Sequence, residues 1–159
     1  RRVLCRSVGL DERVMIARRA HADLFVSLHY NAASQGSPEA RGIETYCLTP
    51  AGAPSTNARP EQHGATGELP GNLHNAHNVL LAFQVQKSML ARMRVEDRGI
   101  RRARFAVLRN TGMPAILVEG GFLSTPVEAR NITSPAQRDA LARAVAEGIL
   151  AYKRLVERR

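Results

Sequence analysis

The sequence predicts an α/β fold: a three-layer sandwich with a largely parallel central sheet flanked by helices. Three observations carry this. Short β-rich apolar runs alternate with segments of helical period, the pattern that builds parallel sheets. Pro114-Ala115-Ile116-Leu117-Val118-Glu119 is the most apolar run, as expected of a strand buried on both faces at the sheet centre. Ser134-Pro135-Ala136-Gln137 combines an N-cap serine, proline at the first helical position and glutamine three after the cap, which marks a helix start. A chain of 159 residues with 44% hydrophobic content suits one domain, 1–159, with a single core.

Taken in order, Val3-Leu4-Cys5 reads as the end of a strand. Leu10 to Arg19 carries Leu10, Val14 and Ala17 at helical spacing. Asp23 to His29 reads as a strand with Leu24, Val26 and Leu28 on one face, and Gly42 to Leu48 as another. Residues 49–71 are rich in Pro, Gly, Ala and polar residues without a period, so they form a long loop, expected to be functional or disordered. Asn72 is expected to cap a helix running to about Met93, with Leu73, Ala76, Leu80, Phe83 and Leu90 inward. Arg98 to Arg104 reads as a basic connection to a short strand at Phe105 to Leu108. In the last helix Leu141, Val145, Ile149, Tyr152 and Val156 form one apolar stripe. No internal repeat is present.

Composition narrows the function classes. No apolar run approaches the roughly 20 residues of a membrane span, and Arg1 to Arg6 has no stretch resembling a signal peptide. Cys5 and Cys47 are too few for a disulfide framework and read as buried thiols. A net charge of +9 favours an anionic partner, either nucleic acid or an anionic cell wall. The basic stretch Arg92, Arg94, Arg98, Arg101, Arg102 and Arg104 lacks interleaved aromatics and matches no DNA-binding motif, so a solvated face is preferred over nucleic-acid binding.

Two polar residues close apolar strands: His29 and Glu119. Sites in open α/β sheets lie outside the carboxyl ends of strands. A carboxylate there can act as a general base, and an imidazole can bind metal or shuttle protons. Position alone also admits the plainer reading, in which each merely ends its strand and bonds a loop. Gly120-Gly121 is expected to turn the backbone sharply after Glu119. His74 and His77 share a helix face and, with His63, offer three nitrogens, but no acidic or Cys partner stands at metal-ligand spacing, so they read as surface histidines. Asn131-Ile132-Thr133 matches a glycosylation sequon of little weight.

Ala17 to Ala32, with Ser27-Leu28-His29-Tyr30-Asn31-Ala32 at its end, resembles a segment of the zinc-dependent N-acetylmuramoyl-L-alanine amidase family (amidase 3 type). Asp97-Arg98-Gly99-Ile100 through Phe105-Ala106-Val107-Leu108-Arg109 resembles its next block, and Pro114 through Glu119 to Ser124 the block holding its catalytic glutamate. Gly42-Ile43-Glu44-Thr45-Tyr46 and the helix from Asn72 fall in the expected order, so the resemblance spans all but the 49–71 loop. It implies a peptidoglycan hydrolase that cleaves the amide between N-acetylmuramic acid and L-alanine. On that implication His29 is a zinc ligand and the metal activates water. Glu119 is then the general base. Asn31 and Arg109 become substrate or supporting contacts, with surface roles equally open.

Family members begin with a strand ending in a Gly-His-Gly-Gly type motif, followed by a helix bearing a glutamate ligand. Neither is in this sequence, which starts near the second strand at Val3-Leu4-Cys5-Arg6. The link from Arg6 to Leu10 is shorter than usual, and Arg18 stands where the family has Asn. The expectation is an N-terminally truncated domain, lacking its first strand and helix, with an incomplete zinc site. The alternative is a catalytically inactive fragment that binds peptidoglycan or a partner. The implied substrate places the chain in the periplasm or the extracellular cell envelope. The sequence identifies no activator protein.

Overall fold

The computed structural model describes residues 7–33, 39–56 and 67–157. The strand expected at Val3–Cys5 and the middle of the 49–71 loop, His63 included, lie outside them. The described chain forms α1 (Leu10–Arg19), β1 (Phe25–Asn31), β2 (Ile43–Leu48), a 3-10 turn (Pro70–His74) and α2 (Asn75–Arg92). It continues through β3 (Asp97–Ala103), α3 (Ala106–Arg109), β4 (Ala115–Phe122), α4 (Pro126–Thr133) and α5 (Pro135–Val156).

The four strands are ordered β1-β4-β2-β3. β1 and β4 run parallel, as do β2 and β3, while β2 and β4 are antiparallel. All eight residues of β4 are buried, in agreement with its apolar sequence and the expected central position. Alternation along the strands builds two cores. On one face Ile116, Val118 and Ile43 pack against Leu81, Val85 and Met89 of α2 and Val145 and Tyr152 of α5. On the other, Ala115, Leu117, Tyr46 and Leu48 pack against Val107 and Leu108 of α3, and α3 in turn contacts α1. Helices on both sheet faces give the expected sandwich.

Several local expectations are corrected. Residues 98–103 of the basic segment lie in β3 rather than in a connection, with Arg98 and Arg101 paired to Glu44. The strand expected at Phe105 to Leu108 is the short helix α3. The inner face of α2 is Asn78, Leu81, Ala82, Val85, Gln86 and Met89; of the residues expected inward, Leu80 and Leu90 pack at its margin, whereas Leu73, Ala76 and Phe83 are exposed. The apolar pattern misled because two amides on that face serve the strands. Ala115 N–H donates to Asn78 Oδ1 (2.7 Å), and Gln86 donates to the Ile43 carbonyl (3.2 Å) and accepts from Thr45 Oγ1 (2.8 Å). Asn72 belongs to the 3-10 turn, where its side chain accepts the Leu69 N–H (2.9 Å), so α2 begins only at Asn75.

Leu24, just before β1, and Val26 within it join the α5-side core as expected, but Leu28 is 61% exposed on what is an outer strand of the described sheet. The apolar stripe of α5 is as expected, with Pro135 at the first helical position, yet Ser134 makes no side-chain cap bond. Helix α4, which carries the Asn131 sequon, was not foreseen. Near the start of the 49–71 loop, Thr56 N–H donates to the Arg102 carbonyl (2.8 Å) and Arg102 N–H donates to Thr56 Oγ1 (2.7 Å), tying residues 50–56 along β3.

Candidate active site

Cross-strand register brings three side chains into one row. His29 on β1 is paired with Glu119 on β4, and Glu119 is paired with Glu44 on β2. Directly opposed residues project to the same sheet face. Glu44 and Glu119 alternate in step with Tyr46 and Leu117, so the row lies on the α3 side.

Two bulges frame the row. His29 faces Glu119 while Asn31 faces Phe122, so Gly120 and Gly121 together oppose Tyr30. Gly121 has φ +134°, a conformation that disfavours any side chain. The glycine pair therefore bulges β4 and does not turn it; the strand continues to Phe122. On β3, register skips from Ile43–Asp97 to Thr45–Ile100, with Gly99 at φ +78°. This second bulge turns Arg98 and Arg101, three residues apart, toward the same carboxylate.

That carboxylate is Glu44, only 2% exposed. Its Oε2 lies 2.9 Å from Arg98 Nε and 2.8 Å from Arg101 Nε. Its Oε1 accepts from Asn31 Nδ2 (2.9 Å) and from Tyr46 OH (2.8 Å). Burial, followed by the hydrogen bond and charge of Glu44, raises the Tyr46 phenol far above its ordinary range. The Arg98 guanidinium also sits 4.9 Å over the Phe122 ring. Buried ion pairs of this kind offset their desolvation cost by charge attraction together with hydrogen bonds to the remaining lone pairs, here from Asn31 and Tyr46.

Glu119 is different. It is 9% exposed, and its Oε2 is buried without a hydrogen-bond partner among the described residues. Burial, then the neighbouring Glu44 charge, raises its pKa to about 7. A carboxyl group tuned to that range can exchange a proton near neutrality. His29 Nε2 is hydrogen-bonded to Ser27 Oγ at 2.7 Å. Its pKa is lowered, first by burial and then by the Arg13 charge on α1, which favours the neutral imidazole.

Of the four residues singled out from sequence, register sets His29 opposite Glu119 and Glu119 opposite Glu44, and Asn31 is hydrogen-bonded to Glu44. Arg109 stands outside that row; it is exposed and its Nε donates to the Arg104 carbonyl (2.7 Å). Sequence reasoning missed Glu44, Arg98 and Arg101. The available signal was an acid inside an otherwise apolar and aromatic strand, matched by arginines on the next block. His77 bonds the Tyr152 hydroxyl (2.9 Å), a structural role. A cavity of about 390 Å³ lined by Tyr30, Gly121, Arg94 and Leu141 does not include Glu119.

A catalytic zinc takes about three protein ligands. Among the described residues no group of three His, Cys, Asp or Glu side chains is arranged to hold a metal. Glu44 is committed to two arginines, which leaves the His29 imidazole and the unpartnered Glu119 oxygen. These residues alone do not fit a zinc centre.

The sequence matches the family described as N-acetylmuramoyl-L-alanine amidase over residues 2–151. It is 32% identical over 146 residues to the N-acetylmuramoyl-L-alanine amidase LytC of Bacillus subtilis, covering 92% of this chain and 25% of LytC. It is 34% identical to the amidase AmiC of Neisseria meningitidis, covering 91% of this chain and 39% of AmiC. The fold is similar to the crystal structure of an N-acetylmuramoyl-L-alanine amidase from Clostridium difficile 630, with a TM-score of 0.71 and 34% identity over 91% of this chain and 65% of that one. The chain thus spans a quarter to two fifths of the length of these two curated relatives.

Proposed function

The chain belongs to the N-acetylmuramoyl-L-alanine amidase family, and on that premise we propose that it hydrolyses the amide between the lactyl group of N-acetylmuramic acid and L-alanine in peptidoglycan. The observation that carries this is the Glu119 carboxylate, buried, unpartnered at Oε2 and raised to about 7. Such a group takes a proton from water as the water oxygen bonds to the lactyl carbonyl carbon. It returns that proton to the alanine nitrogen as the C–N bond breaks. The products are a lactyl carboxylate and a peptide with a free α-amine.

His29, in register with Glu119 and with its pKa lowered by burial, is the described residue suited to give a metal one nitrogen donor. The remaining donors of a zinc centre are not among the described residues, so no step of the reaction is assigned to metal. Asn31 is a substrate contact in this reading. Arg109 is an exposed contact on the same sheet face, through α3. The substrate places the chain at the cell envelope, and no described helix is long and apolar enough to cross a membrane.

The test is incubation of the chain, with zinc supplied, with purified peptidoglycan, followed by mass spectrometry and amine labelling. Release of peptides bearing a new N-terminal alanine is expected. Binding to peptidoglycan with no new amine would favour the inactive, wall-binding reading instead.

A further inference from the structure

Glu44 is the most heavily bonded side chain near the site, yet general-base chemistry at Glu119 does not use it. Four groups converge on its two oxygens: Arg98 and Arg101 on Oε2, Asn31 and Tyr46 on Oε1. Three of these come from flanking structure, and their bonds fix the carboxylate itself. The fourth, Asn31, lies on β1 two residues beyond His29, where the chain leaves the sheet. Its Oδ1 accepts the Ala32 N–H (2.8 Å) while one hydrogen of its Nδ2 goes to Glu44 (2.9 Å). Anchoring at both ends sets which way the amide faces and prevents its rotation. The second Nδ2 hydrogen has no partner among the described residues, and the residue is only half-buried. A donor held in this way, with its second hydrogen unclaimed among the described residues, suits a substrate carbonyl.

We propose that Glu44 is a positioning residue that locks the Asn31 amide so that its second N–H is presented to a carbonyl oxygen of the bound muramoyl peptide. This rests on the amidase reading above, because the site and substrate are the same. The arginine pair gives Glu44 its role: with both guanidiniums against Oε2, the carboxylate is held in place and Oε1 stays directed at Asn31. A glutamine at 44 would keep the size but lose the charge and set an N–H against the arginine donors.

The experiment uses the 159-residue chain, zinc supplied, with muramoyl-L-alanyl-D-isoglutamine as the probe. Two readouts are taken: turnover, and the Asn31 side-chain amide resonance in 15N-labelled protein. N31A is expected to lower kcat about tenfold or more with KM changed less than twofold. E44Q is expected to do the same, and E44Q/N31A to lose no more than the worse single variant, because one residue acts through the other. The probe is expected to shift the Asn31 Nδ2 resonance in the wild type and not in E44Q. Should E44Q fail to fold, E44D retains the charge but withdraws from Asn31 and should show the same losses. Wild-type kcat in N31A, losses that multiply in the double variant, or an Asn31 resonance indifferent to the probe would each overturn the positioning role. A resonance that shifts in a wild type that releases no amine would uphold the positioning and remove the amidase reading, so the two fail separately.

Discussion

Glu44 and Glu119 stand directly opposite one another on β2 and β4, two buried carboxylates of which one is engaged at both oxygens and the other has no hydrogen-bond partner at Oε2 among the described residues. The arginines that could neutralise both are turned to Glu44 by the bulge at Gly99. Glu119 consequently feels burial and a neighbouring negative charge, with no compensating donor at its buried oxygen. Both effects oppose its ionisation.

The first expectation follows from that asymmetry. In the folded, metal-free chain the Glu119 pKa is raised from 4.5 to about 7. Between those values the folded state holds a proton that the unfolded state has released. Stability contributed by this group is therefore full below about pH 4.5 and is lost as pH rises through about 7. Urea midpoints measured from pH 4 to pH 8 should show this fall superimposed on the titration of other groups. In E119Q that component should be absent; an identical pH dependence in the variant would show that the group is not perturbed.

Removing Glu44 leaves two guanidiniums without their shared counter-charge. Glu44→Ala should cost about 3 kcal/mol, near the lower end for breaking a buried pair because both arginines are about a quarter exposed. Chemical denaturation of the variant measures it. A loss under about 1 kcal/mol, the scale of a surface ion pair, would mean that solvent already screens the cluster.

Asn78 offers a test of the polar lining of α2. Its Oδ1 accepts the Ala115 N–H at the start of β4, and its Nδ2 donates to the Gly71 carbonyl (3.2 Å). Asn78→Leu, although more apolar, strands a buried donor and acceptor and should destabilise by about 3 kcal/mol. Urea denaturation that finds the variant as stable as the wild type would show that other groups satisfy both.

These same residues explain how far the sequence could be read. The layered α/β fold, the central position of 115–119 and the stripe of α5 were legible because apolar residues alone decide them. The α2 face was not, because Asn78 and Gln86 occupy core positions to serve backbone groups that only the folded sheet brings near. The basic run 98–104 hid a strand for a related reason: Arg98 and Arg101 are paired to a carboxylate some fifty residues earlier. His29 and Glu119 were singled out as strand ends; the strands run on to Asn31 and Phe122, and register sets the two residues opposite one another. Glu44 was not singled out, since its importance lies in cross-strand register, which a linear pattern does not contain.

The most direct test of the account compares the wild type with E119Q for amine release from muramoyl-L-alanyl peptides at neutral pH, zinc supplied. Glutamine keeps the shape of the side chain but cannot accept the water proton. The account expects kcat to fall on the order of 10²- to 10⁴-fold while peptidoglycan binding in a pull-down is unchanged. Turnover in E119Q within a few-fold of wild type would contradict the assignment of Glu119 as the general base.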